Sequence, residues 1–229
     1  MKIRADFSQK EVVRPDEAEW VASPQPGVDR LMLDRIGEEI ARATSLVRFA
    51  PGSFFPFHEH GGGEEILVLE GVLEDEHGTY PAGTYLRDPV GTSHQPFTKE
   101  GCLLFVKLWQ FAPNDTARVV IDTKAGAWLS HGPIGPATKT LHEFGGDVTS
   151  LMYFPPGVQL KHHVHDVGQE LLVLDGIFSD EGGDYPKGTW VRFPEGSAHA
   201  PFSLPGCTLL AKAGHLPPKK TSQHTQELL

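Results

Sequence analysis

Apolar and polar positions along the chain fall into short runs, not long periodic stretches. "TSLVRFAPG", "EEILVLEGVL", "GTYLRDPVG" and "GCLLFVKLWQF" are rich in Val, Leu, Phe and Tyr and bounded by Gly, Pro and Asp, which predicts strands closed by turns. Helical spacing occurs only in "DRIGEEIARA", Asp34 to Ala43, and Gly37 interrupts even that. Regular short strands with turn signals predict an all-β chain of small barrels or sandwiches. The 25 Gly and 19 Pro fit many turns, and the 13 Phe, four Trp and four Tyr fit aromatic-bearing strands.

The pattern repeats. His58 recurs as His163, His60 as His165, Gly71 as Gly176, His94 as His199 and Cys102 as Cys207, each pair 105 positions apart. From Leu46/Leu151 to Lys107/Lys212 roughly half the positions are identical without a gap, so the chain contains a duplicated unit. Upstream the offset becomes 108, pairing Trp20 with Trp128, Gly27 with Gly135 and Gly37 with Gly145, so three residues are lost near Phe144. A repeat of this length is a domain. The break falls near Phe111 to Asp115, where "FAPND" ends the strand pattern. The expected units are a first barrel over 1–112, a second over 113–216 and a C-terminal tail over 217–229.

Charge narrows the partners. A formal net charge of -10, with scattered Lys and Arg, opposes nucleic-acid binding and leaves a small molecule or another protein. No apolar run reaches the roughly 20 residues of a membrane span. The start has no signal-peptide core, so a cytoplasmic location is expected. Cys102 and Cys207 are too few for a disulfide framework and read as small buried residues.

Candidate chemistry centres on "FPFHEHGGGEE". Side chains two apart on a strand share a face, so His58 and His60 point the same way. Gly61 to Gly63 permit a sharp bend that swings Glu64 back toward them, and a Pro-Val-Gly turn delivers His94. The stretch G-x5-H-x-H-x3-E-x6-G through Gly52, His58, His60, Glu64 and Gly71, followed by G-x5-P-x-G-x2-H through Gly83, Pro89, Gly91 and His94, resembles the two cupin motifs. The second copy repeats them through Gly157, His163, His165, Gln169 and Gly176, then Gly188, Pro194, Gly196 and His199, with Gln169 in place of the glutamate. The chain thus resembles a bicupin of two tandem jelly-roll β-barrels. More narrowly, it is similar to the cupin domain of the ChrR anti-sigma factors. The residues before Glu11 hold no Cys or His to supply the zinc-binding helical domain that ChrR adds.

The resemblance implies a divalent transition metal, Zn, Fe, Mn or Ni, on His58, His60, Glu64 and His94. It also implies a second on His163, His165, Gln169 and His199, Gln169 ligating through its carbonyl oxygen. Loss of the carboxylate predicts weaker binding in the second copy. Three nitrogens and one oxygen leave coordination positions open for a small-molecule ligand or oxidant. Two functions follow as expectations. One is a sensing or transcription-regulatory module, with a sigma factor or other regulator as partner. The alternative is a non-haem dioxygenase acting on a diketone or flavonol-like substrate, with Glu64 doubling as catalytic base. Edge strands make a homodimer plausible. Glu170 is expected to face away from the metal, His162 to face solvent, and His77, His131, His142, His215 and His224 to lie on the surface. Phe54, Phe55, Phe57, Phe97 and Trp109 read as core in preference to pocket lining, and the repeated pairs Arg87/Arg192 and Lys107/Lys212 carry no assignment.

Overall fold

The computed structural model describes residues 1–17, 19–133 and 135–217; His224 and residues 218–229 of the expected tail lie outside the described residues. Among the described residues there is no helix, hence none long and apolar enough to cross a membrane. Asp34 to Ala43 is a hairpin joining Val28–Gly37 to Ala41–Phe49, not a helical segment. The helical reading fails because Leu31 and Leu33 already alternate with period two, and Gly37, at φ 126, turns the chain.

The fold is all-β, two tandem jelly-roll units. The first repeat runs its sheet through Val28–Gly37, Ala41–Phe49, Cys102–Leu108, Glu64–Asp75 and Thr84–Asp88. The second repeats that order through Ala137–Phe144, Asp147–Phe154, Cys207–Ala213, Gln169–Asp180 and Trp190–Phe193. Each adds a two-stranded ladder, His58–Glu59 with Ser93–His94 and His163–Val164 with Ala198–His199. The three-residue deletion between repeats falls near the Phe144 turn, where length is easily lost. Leading strands are exchanged: Glu11–Val13 pairs with Trp190–Phe193 of the second sheet, whereas its repeat counterpart Val119–Asp122 pairs with Thr84–Asp88 of the first.

The unbroken apolar run of Glu64–Asp75 now has a cause, since strands buried on both faces lose the polar alternation. Ile66 and Val68 enter the core of the first unit, whereas Leu67 packs between the units with Tyr85, Phe105, Leu172, Trp190 and Leu210. Leu171 and Val173 likewise enter the second unit's core, and Leu172 faces the first unit. Glu65 and Glu170 share the faces of Leu67 and Leu172, so two carboxylates are buried between the units.

Both are met by repeat-related cations from the opposite unit. Lys212 Nζ lies 2.5 Å from Glu65, which also accepts from Tyr85 and Thr149 and has Arg87 3.5 Å away. Lys107 pairs in turn with Glu170, and His215 lies 3.3 Å from that carboxylate. Arg87 bonds Asp115, which His142 also meets at 2.9 Å, and Arg192 lies 3.5 Å from Asp34. The unassigned pairs Lys107/Lys212 and Arg87/Arg192 therefore belong to the inter-unit interface. His215 and His142 correct the surface reading: the His215 side chain is fully buried and that of His142 nearly so, because they serve these carboxylates. His77, His131 and His162 are exposed.

Burial, reinforced by Lys107, depresses His215 to about 3, against the pull of Glu170. An unfolded His takes its proton near pH 6.5, whereas the folded one refuses it until about pH 3, so this group costs stability as pH falls between those values. The unfolding free energy of the parent minus that of His215→Gln is expected to shrink from pH 7 to pH 4 in paired denaturant titrations. A constant difference would show that His215 is not buried neutral.

Candidate metal centre

The ladder between His58–Glu59 and Ser93–His94 places His58 directly opposite His94. His60 follows in the next loop, and Glu64 opens the long central strand. One ligand atom from each of His58, His60, Glu64 and His94 lies within 4.8 Å of the others. His60 Nε2 and His94 Nε2 are each 3.2 Å from Glu64 Oε2.

Ring orientation is set from behind. His58 Nδ1 lies 2.9 Å from the Pro56 carbonyl, His60 Nδ1 lies 2.9 Å from Thr92 Oγ1, and His94 Nδ1 lies 3.1 Å from Asp75 Oδ2. The Thr92 hydroxyl donates to the Pro89 carbonyl, so it accepts from His60. With each Nδ1–H donating outward, each Nε2 is turned toward the common centre, where its lone pair would serve a cation once any proton on it has left. His60 Nε2, His94 Nε2 and Glu64 Oε2 are buried and make no hydrogen bond among the described residues. Buried polar atoms are rarely left so, and three converging ones are the donor set of a cation. Burial would raise Glu64, but His60 and His94 hold it well below the usual carboxylate range. Burial would lower His94, yet Asp75 and Glu64 push it up to about 10. Burial lowers His58.

The second cluster gathers His163, His165 and His199 within the same limit, and among the described residues it includes no carboxylate. His163 Nδ1 lies 3.0 Å from the Lys161 carbonyl and His199 Nδ1 lies 3.1 Å from Asp180. His165 is set differently. Ser197 replaces Thr92, and no hydrogen bond holds His165 Nδ1 among the described residues; its Nε2 instead approaches His199 Nε2 to 3.0 Å. Burial, then His199 and His163, lowers His165 to about 4. Phe193 stands where the first copy has Asp88 and stacks on His165 at 5.5 Å. Gln169 opens Gln169–Asp180 at the position where Glu64 opens its strand, and is half-buried. Glu170 faces the other way, as expected, and pairs with Lys107.

Asp75 and Asp180 were missed by sequence reasoning. Their signal was the repeat, for Tyr80 and Tyr185 also recur and donate to them at 3.0 and 2.7 Å. The exchanged strands add cations: Lys10 lies 3.2 Å from Asp180, and its counterpart Arg118 lies 2.9 Å from Asp88. Each cluster is thus supported from the other repeat.

The glycine triplet needs a correction. Gly63 alone of the three has positive φ, at 76. Gly61 and Gly62 are small because the Trp109 ring lies on them, and an added Cβ would come within 2.9 and 2.3 Å of it. Trp109 itself sits at φ 59, where its repeat counterpart is Gly214. A non-glycine there is strained, so the packing on the His60–Glu64 bend holds it. The core reading also fails for Phe54, Phe57 and Trp109, which are 44%, 64% and 44% exposed. Cys102 and Cys207 are buried free thiols, and burial raises both to about 11. At neutral pH they are unreactive.

Two tandem jelly-roll units, each presenting a histidine cluster from the same motif positions, define a bicupin. The family model of the ChrR cupin-like domain matches residues 8–112 and again 116–217, and the chain belongs to that family. Among curated proteins none matches its sequence. Solved structures share the fold. A putative dioxygenase from Nostoc punctiforme is 15% identical with a TM-score of 0.76, covering 91% of this chain and 83% of its own. A putative glyoxylate-induced protein from Pseudomonas aeruginosa is 14% identical with a TM-score of 0.72, covering 93% and 92%. A bacterial pirin from Escherichia coli, in complex with nickel(II), is 14% identical with a TM-score of 0.67, covering 92% and 100%.

Proposed function

We propose that the chain is a metal-dependent regulatory bicupin. Its first unit holds a divalent transition metal, Zn, Fe, Mn or Ni, on His58, His60, Glu64 and His94, and a small molecule or oxidant meets that metal. The observation that carries this is the convergence of buried Nε2 and Oε2 atoms that have no hydrogen-bond partner outside the cluster among the described residues, on rings fixed from behind. When bound, the metal supplies Lewis acidity and open coordination positions. Glu64 would balance its charge, Asp75 and Thr92 orient the imidazoles, and His94 would have to give up its Nε2 proton to hold it, so affinity is expected to fall with falling pH. The second unit takes a metal more weakly through His163, His165 and His199, with Gln169 as fourth donor. Since Cys102 and Cys207 are buried thiols, an oxidant acts on the metal shell and not on them. A sigma factor or other regulator is the partner that the family points to.

Elemental analysis of protein purified without added metal or affinity-tag chelators tests the site. About one equivalent, lost in His60→Ala while the fold stays intact by circular dichroism, is expected; parent protein that neither contains nor takes up any transition metal overturns the proposal. A dioxygenase is the second reading. It is favoured by the exposed Phe57 beside His58, by Trp109 over the Gly61–Gly62 bend, and by likeness to a putative dioxygenase. Oxygen uptake with Fe(II)-loaded protein on a diketone and enol panel separates the two.

A further inference from the structure

A cavity of about 600 Å3 lies between the two units, and none of the clustered histidines lines it. It is built symmetrically by the repeat: Leu67 and Leu69 with Gly83 from one copy face Leu172 and Leu174 with Gly188 from the other. Along each central strand the inter-unit face starts at a paired carboxylate, continues through a fully buried leucine, and ends at Leu69 or Leu174. These two stay only half-buried although they pack against the shared core. The unit contact therefore stops short and leaves apolar surface around an open volume. That volume falls within the roughly 300–1,000 Å3 of small-molecule pockets.

Its rim reverses the sign of the molecule. In a chain of net charge -10, the charged lining residues are Arg14, Lys124 and Lys187 against one carboxylate, Glu70. Lys124 and Lys187 are exposed and make no ion pair among the described residues. Arg14 has one distant partner, Glu17 at 3.9 Å. A leucine-lined interior with a cationic mouth is complementary to an anion carrying an alkyl chain: the chain leaves water and the headgroup stays with the ammonium groups.

We propose that this inter-unit cavity binds a medium-chain fatty carboxylate, its alkyl chain along Leu67, Leu69, Leu172 and Leu174 and its carboxylate among Arg14, Lys124 and Lys187. Occupancy would brace the two units across the interface that also carries the buried ion pairs, independently of any metal.

Calorimetric titration of the full chain with decanoate, decanol and decyltrimethylammonium tests this. Decanoate is expected to bind one to one, decanol at least tenfold more weakly, and the cation not at all. Leu174→Trp partly fills the cavity along the path of the alkyl chain and is expected to weaken decanoate at least tenfold; Leu69→Trp does the same from the other copy should the first variant not fold. Lys124→Glu with Lys187→Glu weakens decanoate at least tenfold and leaves decanol unchanged. His60→Ala changes neither. Absence of decanoate binding below its micellar concentration, equal affinity for decanol, indifference to the filling variants, or loss in His60→Ala would each overturn the proposal.

Discussion

Replacing Lys107 by methionine is expected to lower the free energy of unfolding by about 3–5 kcal/mol, the usual cost of stranding one member of a buried ion pair. Lys107 and Glu170 are almost fully buried, and the ammonium also donates to Thr44 at 2.9 Å. Removing it leaves Glu170 with His215 and the field of Arg192 on the neighbouring strand, and His215 then gains reason to take a proton. Lys212→Met is expected to cost less, since Glu65 keeps Arg87 and the Tyr85 and Thr149 hydroxyls. The double replacement Lys107→Met with Glu170→Met is expected to recover much of the loss, because two apolar side chains of similar length strand no charge. Denaturant midpoints at fixed metal concentration measure all three. A single variant within about 1 kcal/mol of the parent would mean that the pair is hydrated and not buried.

The same residues show where sequence reading stops. The duplication, the strand content and the four-residue cluster were legible because each depends on local spacing: a two-residue step between same-face histidines, a turn before His94, and an exact register between copies. The interface was not legible, because "EEILVLEG" looks the same whether its second face meets solvent-covering loops or another unit. The repeated Lys107/Lys212 had no readable role, since pairing with Glu170 and Glu65 is set by how the units dock. Strand exchange was hidden for the same reason: Glu11–Val13 is adjacent in sequence to the unit it does not join. His142 and His215 looked like surface residues because they have no histidine partner in the repeat, yet each is buried against a carboxylate, Asp115 or Glu170, that a cation of the first unit also holds. The aromatic residues failed in the opposite direction. Phe57 and Trp109 are large and apolar, yet both are exposed beside the segment that carries His58, His60 and Glu64.

Glu64→Gln is expected to weaken metal binding in the first unit by more than about 100-fold, beyond the 10–100-fold typical of losing a residue that merely supports a ligand. The reasoning is internal to the chain, because the second unit already carries that change. There, Gln169 replaces Glu64 and Phe193 replaces Asp88, so two nearby carboxylates are missing around an otherwise repeated trio of imidazoles. A dication loses the attraction of a formal charge where Gln169 replaces Glu64; Asp88 is already paired with Arg118, so its replacement by Phe193 takes away less. Gln169→Glu is therefore expected to tighten the second centre, though by less than Glu64→Gln weakens the first, since the new carboxylate must be desolvated beside Phe193 with no counterpart of Asp88. Combining the two changes should reverse the order in which the units fill. Substoichiometric metal titration, repeated on His60→Ala and His165→Ala backgrounds to isolate each centre, reads the order directly. Two equivalents bound with equal affinity in the parent, and no response to Glu64→Gln, would show that three imidazoles suffice and that the carboxylate has another task.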